Sequence, residues 1–277
     1  MLGMATATAL AVDKGSRITI GADNSQAAID SVYGFFRVKP GEVETLTVTN
    51  AEEKKYLAGL VPESKIGDVA LSCAYVETRD SGGIDLESYN INYVTDDMYR
   101  QALQTAGIKD AKVIVAAARP VSGTGALAGI YKAYEDLTGE QLDEGAKSVA
   151  AEELVLTGDL QEALGNVSTD IIADIKTKLR DTKNMTDDEI RQLIVDTATE
   201  YNATLTDEQV AQILSLIKKM NELGIDPDTF VDLAQAGEGV SGFFENVGNF
   251  FKGVGDFFVN IFSGFGGGSG DTETTTD

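Results

Sequence analysis

The run AKVIVAAAR (111–119) constrains the fold of this chain more than any other stretch. Successive side chains of a strand point to opposite faces, so six apolar residues in a row from Val113 to Ala118 require cover on both faces of the sheet that holds them. The neighbouring segments supply that cover. GTGALAGIYKAYEDL (123–137) follows with helical spacing, and strand and helix signals alternate upstream. SRITIGAD (16–23) alternates apolar and polar residues as a strand, then meets Asn24-Ser25, a cap for the helix QAAIDSVYGFF (26–36). EVETLTVTN (42–50) is rich in β-branched residues and precedes a helical AEEKKYLAGLV (51–61). DVALSCAYVETR (68–79) and LESYNINYVT (86–95) read as two more strands, with Asp80-Ser81-Gly82-Gly83-Ile84-Asp85 composed like a hairpin turn between them. DDMYRQALQTAG (96–107) is a helix stopped by Gly107. The expected fold of residues 14–138 is a mixed sheet covered by helices.

Strand signals stop there, and residues 139–236 carry helical periodicity. Three helix starts share one device: Val167-Ser168, Met185-Thr186 and Leu205-Thr206 each put an apolar residue before a hydroxyl cap, with Ile172, Ile190 and Val210 placed to close a hydrophobic staple. Thr186 with Glu189 and Thr206 with Gln209 add capping boxes. The prediction is an array of helical hairpins, ending in a short helix capped by Asp226 with Pro227 in its first turn. Gly237 and Gly239 form a hinge into a Phe-rich segment (237–265), and 266–277 read as a disordered tail. The fold class is α+β: a mixed sheet, a helical-hairpin array and a C-terminal amphipathic helix.

The balance of 22 Lys+Arg against 45 Asp+Glu leaves a net charge of -23, a field that repels phosphate backbones and argues against nucleic acid as a partner. Histidine is absent, which removes histidine triads, Cys-His pairs, histidine zinc sites and histidine pH switches together. The lone Cys73, set in VALSCAYVE, reads as a buried core thiol. MATATALAVDKG places Ala9-Leu10-Ala11 like the end of a secretory signal with its cleavage site, so residues 1–13 are read as a signal remnant and the protein as exported.

YVTDDMY (93–99), TAGIKDA (105–111), PVSGTGAL (120–127) and KAYE (132–135) together resemble the YpuA-like family, secreted bacterial proteins grouped under a domain of unknown function. ITIGADNS (18–25) and the layout of the helices fit it too, over about residues 14–225. The resemblance implies export. It brings no catalytic residue, cofactor or metal.

Several candidate sites stand out on the residues themselves. RPVSGTGALAG (119–129) lies between a buried strand and a helix, where glycine-rich anion loops sit, and Ser122, Gly123, Thr124 and Gly125 are the candidate ligand-binding residues. The rest of a nucleotide fingerprint is missing, and the plain alternative is a turn in which Ser122 or Thr124 caps the helix. SLIK (215–218) matches S-x-x-K without the partner motifs of such hydrolases, inside a helix. Acid pairs such as Asp96-Asp97 and Glu152-Glu153 read as helix starts and solvated faces.

FFENVGNFFKGVGDFFVNIF (243–262) is the adhesive element. At 100° per residue Phe243, Phe244, Val247, Phe250, Phe251, Val254, Phe257, Phe258, Ile261 and Phe262 fall within about 140° of arc. Gly248, Gly253 and Gly255 each cost a helix about 1 kcal/mol, whereas burying ten such side chains is worth on the order of 15–30 kcal/mol. This face therefore orders when covered, and three covers are open: the chain's own helices, a membrane interface, or a protein partner, a second copy included, through residues 240–265. The function expected from these features is that of an exported binding protein, secreted or at the extracellular cell surface, attached to a membrane surface or a partner through this segment. The alternative is a small-ligand-binding protein or enzyme using the turn at 120–129.

Overall fold

A computed structural model describes residues 13–60 and 67–230. Residues 1–12 of the expected signal remnant (1–13), the Phe-rich segment and the tail lie outside the described residues. Five strands, β1 (Asp13–Gly21), β2 (Val43–Val48), β3 (Cys73–Thr78), β4 (Ile84–Ile91) and β5 (Ala111–Val121), form one sheet in the order β2-β1-β3-β5-β4. β1 pairs parallel with β2, and β4 parallel with β5. β3 runs antiparallel to both β1 and β5. The sheet is mixed, as expected for an α+β chain.

The expected hairpin between β3 and β4 does not form. β5 lies between them, with Tyr75 opposite Ile114 on one side and Leu86 opposite Val113 on the other. The reason is burial. Val113, Ile114, Val115, Ala116 and Ala117 are all at most 1% exposed, so β5 needs a strand on each edge and a helical layer on each face. β4, with Asp85, Glu87 and Asn90, suits the sheet edge instead.

Helix α1 (Gln26–Phe36) covers one face, where Val32, Tyr33 and Phe36 meet Ile18, Ile20, Cys73, Tyr75, Ile114 and Ala116. The Ser25 hydroxyl accepts from the Ala28 amide at its start. The other face carries α3 (Asp96–Thr105), α4 (Ala126–Thr138) and α5 (Glu144–Leu164). There Met98, Tyr99, Leu127, Ile130, Ala150 and Leu154 join the alternate residues Ala74, Val76, Leu86, Val113 and Val115 in one core. Helix α2 (Asn50–Leu57) packs beside α4 and α5, and opens with a capping box between Thr49 and Glu52.

Beyond the sheet, α5 continues into α6 (Val167–Thr177), α7 (Leu179–Thr182), α8 (Asp187–Glu200) and α9 (Asp207–Leu223), followed by a 3-10 turn at Pro227–Phe230. The capping boxes Thr186/Glu189 and Thr206/Gln209 are present at α8 and α9, and Ile190 and Val210 are buried behind them. The third expected cap is wrong. Asn166 is the residue before α6 and makes no side-chain cap bond, while Ser168 lies inside the helix, fully buried. One glycine explains the displacement: Gly165 has φ +72, and the Ser168 amide already donates to the Gly165 carbonyl. Among the described residues no helix is long and apolar enough to cross a membrane.

Candidate functional site

β1, β2, β4 and β5 point the same way, so the helices that follow them, α1, α2, α3 and α4, all start at one end of the sheet. In open sheets of this kind ligands bind outside the carboxyl ends of the strands. The sequence-derived turn, Ser122, Gly123, Thr124 and Gly125, lies at this end, between β5 and α4.

The expected hydroxyl cap is absent here. Gly125 is the residue preceding α4, with helical angles and no side-chain cap bond. The Ser122 and Thr124 hydroxyls stand 3.3 Å from each other instead. The Ser122 carbonyl accepts from the Val94 amide at 3.1 Å, which ties the turn to the start of α3.

Each glycine of the turn accommodates a side chain of the protein itself. A Cβ on Gly123, whose φ is +90, would collide with the Tyr99 hydroxyl and with Ile91. The Tyr99 hydroxyl donates to the Gly123 carbonyl at 2.5 Å, and its ring is fully buried. A Cβ on Gly125 would run into the carboxyl group of Glu53, with Oε1 only 2.5 Å away. One helical turn on, a Cβ on Gly129 would lie 2.7 Å from Thr19 Oγ1, a buried hydroxyl without a hydrogen-bond partner. The partial G-x-G spacing thus corresponds to three close approaches by Tyr99, Glu53 and Thr19.

Glu53 is the residue at this end that sequence reading missed. It sits on α2 at 4% exposure, an uncommon place for a carboxyl. Burial pushes its pKa up to about 7; a hydrogen bond from Asn50 opposes the rise, and the charges of Asp23 and Glu52 add to it. Among the described residues no cation pairs with it. Lys132 of α4 turns to Glu52, donating to its Oε1 at 2.7 Å and to the Thr47 carbonyl at 2.7 Å. Burial alone would raise Glu52, but bonds from Lys132 and Thr49 bring it below its usual value. Asp23 accepts from the Ala70 amide at 2.7 Å, and Asn24 donates to the carbonyls of Gly21 and Leu71 at 2.9 and 3.1 Å. Cys73 is buried, as expected, and burial pushes its thiol up to about 11. The only sequence signal for Glu53 is its place in AEEKKYL, fourth after the Thr49 cap in a short helix whose inner face the pattern leaves open.

A second buried polar cluster lies between α3, α5 and α6. Glu153, read from sequence as part of a solvated face, is 1% exposed. Lys176 Nζ donates to its Oε1 at 2.6 Å and to the Gln101 carbonyl at 3.0 Å, and lies 4.1 Å from the centroid of the Phe230 ring. The Thr105 hydroxyl donates to Glu153 Oε2. Burial pushes Lys176 below its usual pKa, against the pull of Glu153. Glu153 is inward because α5 is the central helix of this half, covered by α3, α6 and α9 on successive faces. Asp96 and Asp97 do open a helix, α3. Ser215 and Lys218 lie on α9, where Lys218 pairs with Asp187 at 2.9 Å. Among the described residues there is no grouping of three metal-ligating side chains.

A family model described as a protein of unknown function (DUF1002) matches residues 20–236. A protein of Bacillus subtilis (strain 168), described as uncharacterized protein YpuA, is 40% identical over 235 residues, which cover 83% of this chain and 80% of that protein. No solved structure matches the chain.

Proposed function

Taking as premise that the chain belongs to the DUF1002 family of bacterial proteins, we propose that it is an exported, non-enzymatic binding protein that attaches to a membrane surface through residues 243–262. The carrying observation is the apolar arc of Phe243, Phe244, Val247, Phe250, Phe251, Val254, Phe257, Phe258, Ile261 and Phe262. Phenylalanine on one side, with Glu245, Asn249, Lys252, Asp256 and Asn260 on the other, is the pattern of a helix lying in an interface. Glu245, Lys252 and Asp256 oppose a spanning arrangement. The described body supports the same division of labour. Among the described residues the large exposed hydrophobics are Val69, Val195 and Leu223, far fewer than the ten on the arc of 243–262. Export is supported by the Ala9-Leu10-Ala11 pattern.

The test is flotation with phosphatidylcholine vesicles, comparing the full chain with a chain ending at Gly239 and with Phe250→Ser/Phe257→Ser. The full chain floats, and the other two remain in the dense fraction. Equal behaviour of all three, floating or not, overturns the proposal.

A further inference from the structure

Unlike Glu52 beside it, which pairs with Lys132, Glu53 has no ion-pair partner among the described residues. Its carboxyl group is wedged between α2 and the start of α4, so close to Gly125 that a Cβ there would force the carboxyl to shift. The α4 terminus lacks a side-chain cap. The groups facing this carboxyl are Glu52 on its own helix, held by Lys132 of α4, Asp23 after β1, the Cys73 thiol of β3 and the Tyr99 hydroxyl of α3. Lys132 is thus committed to Glu52, and two of the neighbours of Glu53 are carboxylates.

We propose that Glu53 is a proton-operated latch on the seam between α2 and α4: protonated, it lets α2 close over the turn at 122–125, and ionised, it favours opening of α2 so that the carboxylate reaches water. The physical basis is desolvation. A neutral carboxyl tolerates a dry seam, whereas a carboxylate there has, among the described residues, the Asn50 side chain and the partial positive charge of the α4 start to offset lost hydration. In the opened state the group is solvated and titrates near 4.5; in the closed state it titrates near 7. Opening thus becomes easier as pH rises from about 4.5 to about 7 and levels off above. Unlike the membrane proposal, this one concerns the body alone and stands or falls without residues 243–262.

The experiment is amide hydrogen exchange on the full chain between pH 5 and pH 8, corrected for intrinsic rates, reading the amides of α2 and of residues 123–128. The opening constant of wild type rises on the order of 50-fold across that range, and that of Glu53→Gln changes by less than about 3-fold, since the amide cannot ionise. A carboxyl-carbon NMR titration of Glu53 in the unmodified chain provides a second reading that needs no variant, with an expected midpoint near 7. A midpoint near 4.5, a flat wild-type profile, or the same rise in Glu53→Gln would each overturn the latch.

Discussion

Replacing Lys176 by methionine tests the buried ion pair on which the junction of α3, α5 and α6 rests. The two side chains are 2% and 1% exposed, with Nζ and Oε1 2.6 Å apart. At an effective dielectric constant of about 20 that separation corresponds to an attraction of roughly 6 kcal/mol. Removing the two ions from water costs several kcal/mol each, so the intact pair contributes little net stability. The asymmetry appears when one member is lost. Lys176→Met leaves the Glu153 carboxylate in a dry site with the Thr105 hydroxyl as its remaining polar partner, at a cost of about 3–5 kcal/mol. The double change Lys176→Met/Glu153→Leu removes both charges and fills the space with apolar volume. It should recover most of that loss and end within about 1–2 kcal/mol of wild type, in either direction. Urea unfolding followed by circular dichroism provides the free energies, and the single variant should also melt roughly 6–20 °C lower. If Lys176→Met costs less than about 1 kcal/mol, or if the double variant is as unstable as the sum of Lys176→Met and Glu153→Leu, the pair is not a desolvated unit and the reasoning fails.

Two further outcomes are expected at sites of different kinds. Gly123→Ala places a side chain at φ +90 against Tyr99 and Ile91, and should lower stability by about 2–4 kcal/mol in the same unfolding assay; a loss below about 1 kcal/mol would mean that the turn has room to move. Thr206→Ala removes the hydroxyl that accepts from the Gln209 amide at 3.2 Å and should cost about 1 kcal/mol, with early exchange of the first-turn amides of α9 as the local signature.

The parts of this protein written in short-range pattern were legible from residues alone. α1 spans Gln26–Phe36, the residues of the quoted QAAIDSVYGFF, because Ser25, the apolar spacing and the aromatic end act within a few residues of one another. The boxes at Thr186 and Thr206 are legible for the same reason: cap and partner are three residues apart. Ser168 shows the limit of that logic. A serine in a good local context lost the cap position because Gly165 had already turned the chain. At the candidate site, the turn at 122–125 was visible as glycine spacing, but what faces the glycines was not. Tyr99, Glu53 and Thr19 come from α3, α2 and β1, far away in sequence.

Composition, periodicity and caps determined that this chain makes a two-sided sheet followed by a helical array, because each of those signals is carried by neighbouring residues. Only the tertiary structure decided that β5 parts β3 from β4, that Glu153 and Lys176 meet out of water, and that Glu53 lies against Gly125. Each of those outcomes depends on which distant surfaces compete for burial. A sheet places its most apolar strand where both edges and both faces are covered, and a carboxyl side chain follows the face of the helix that carries it.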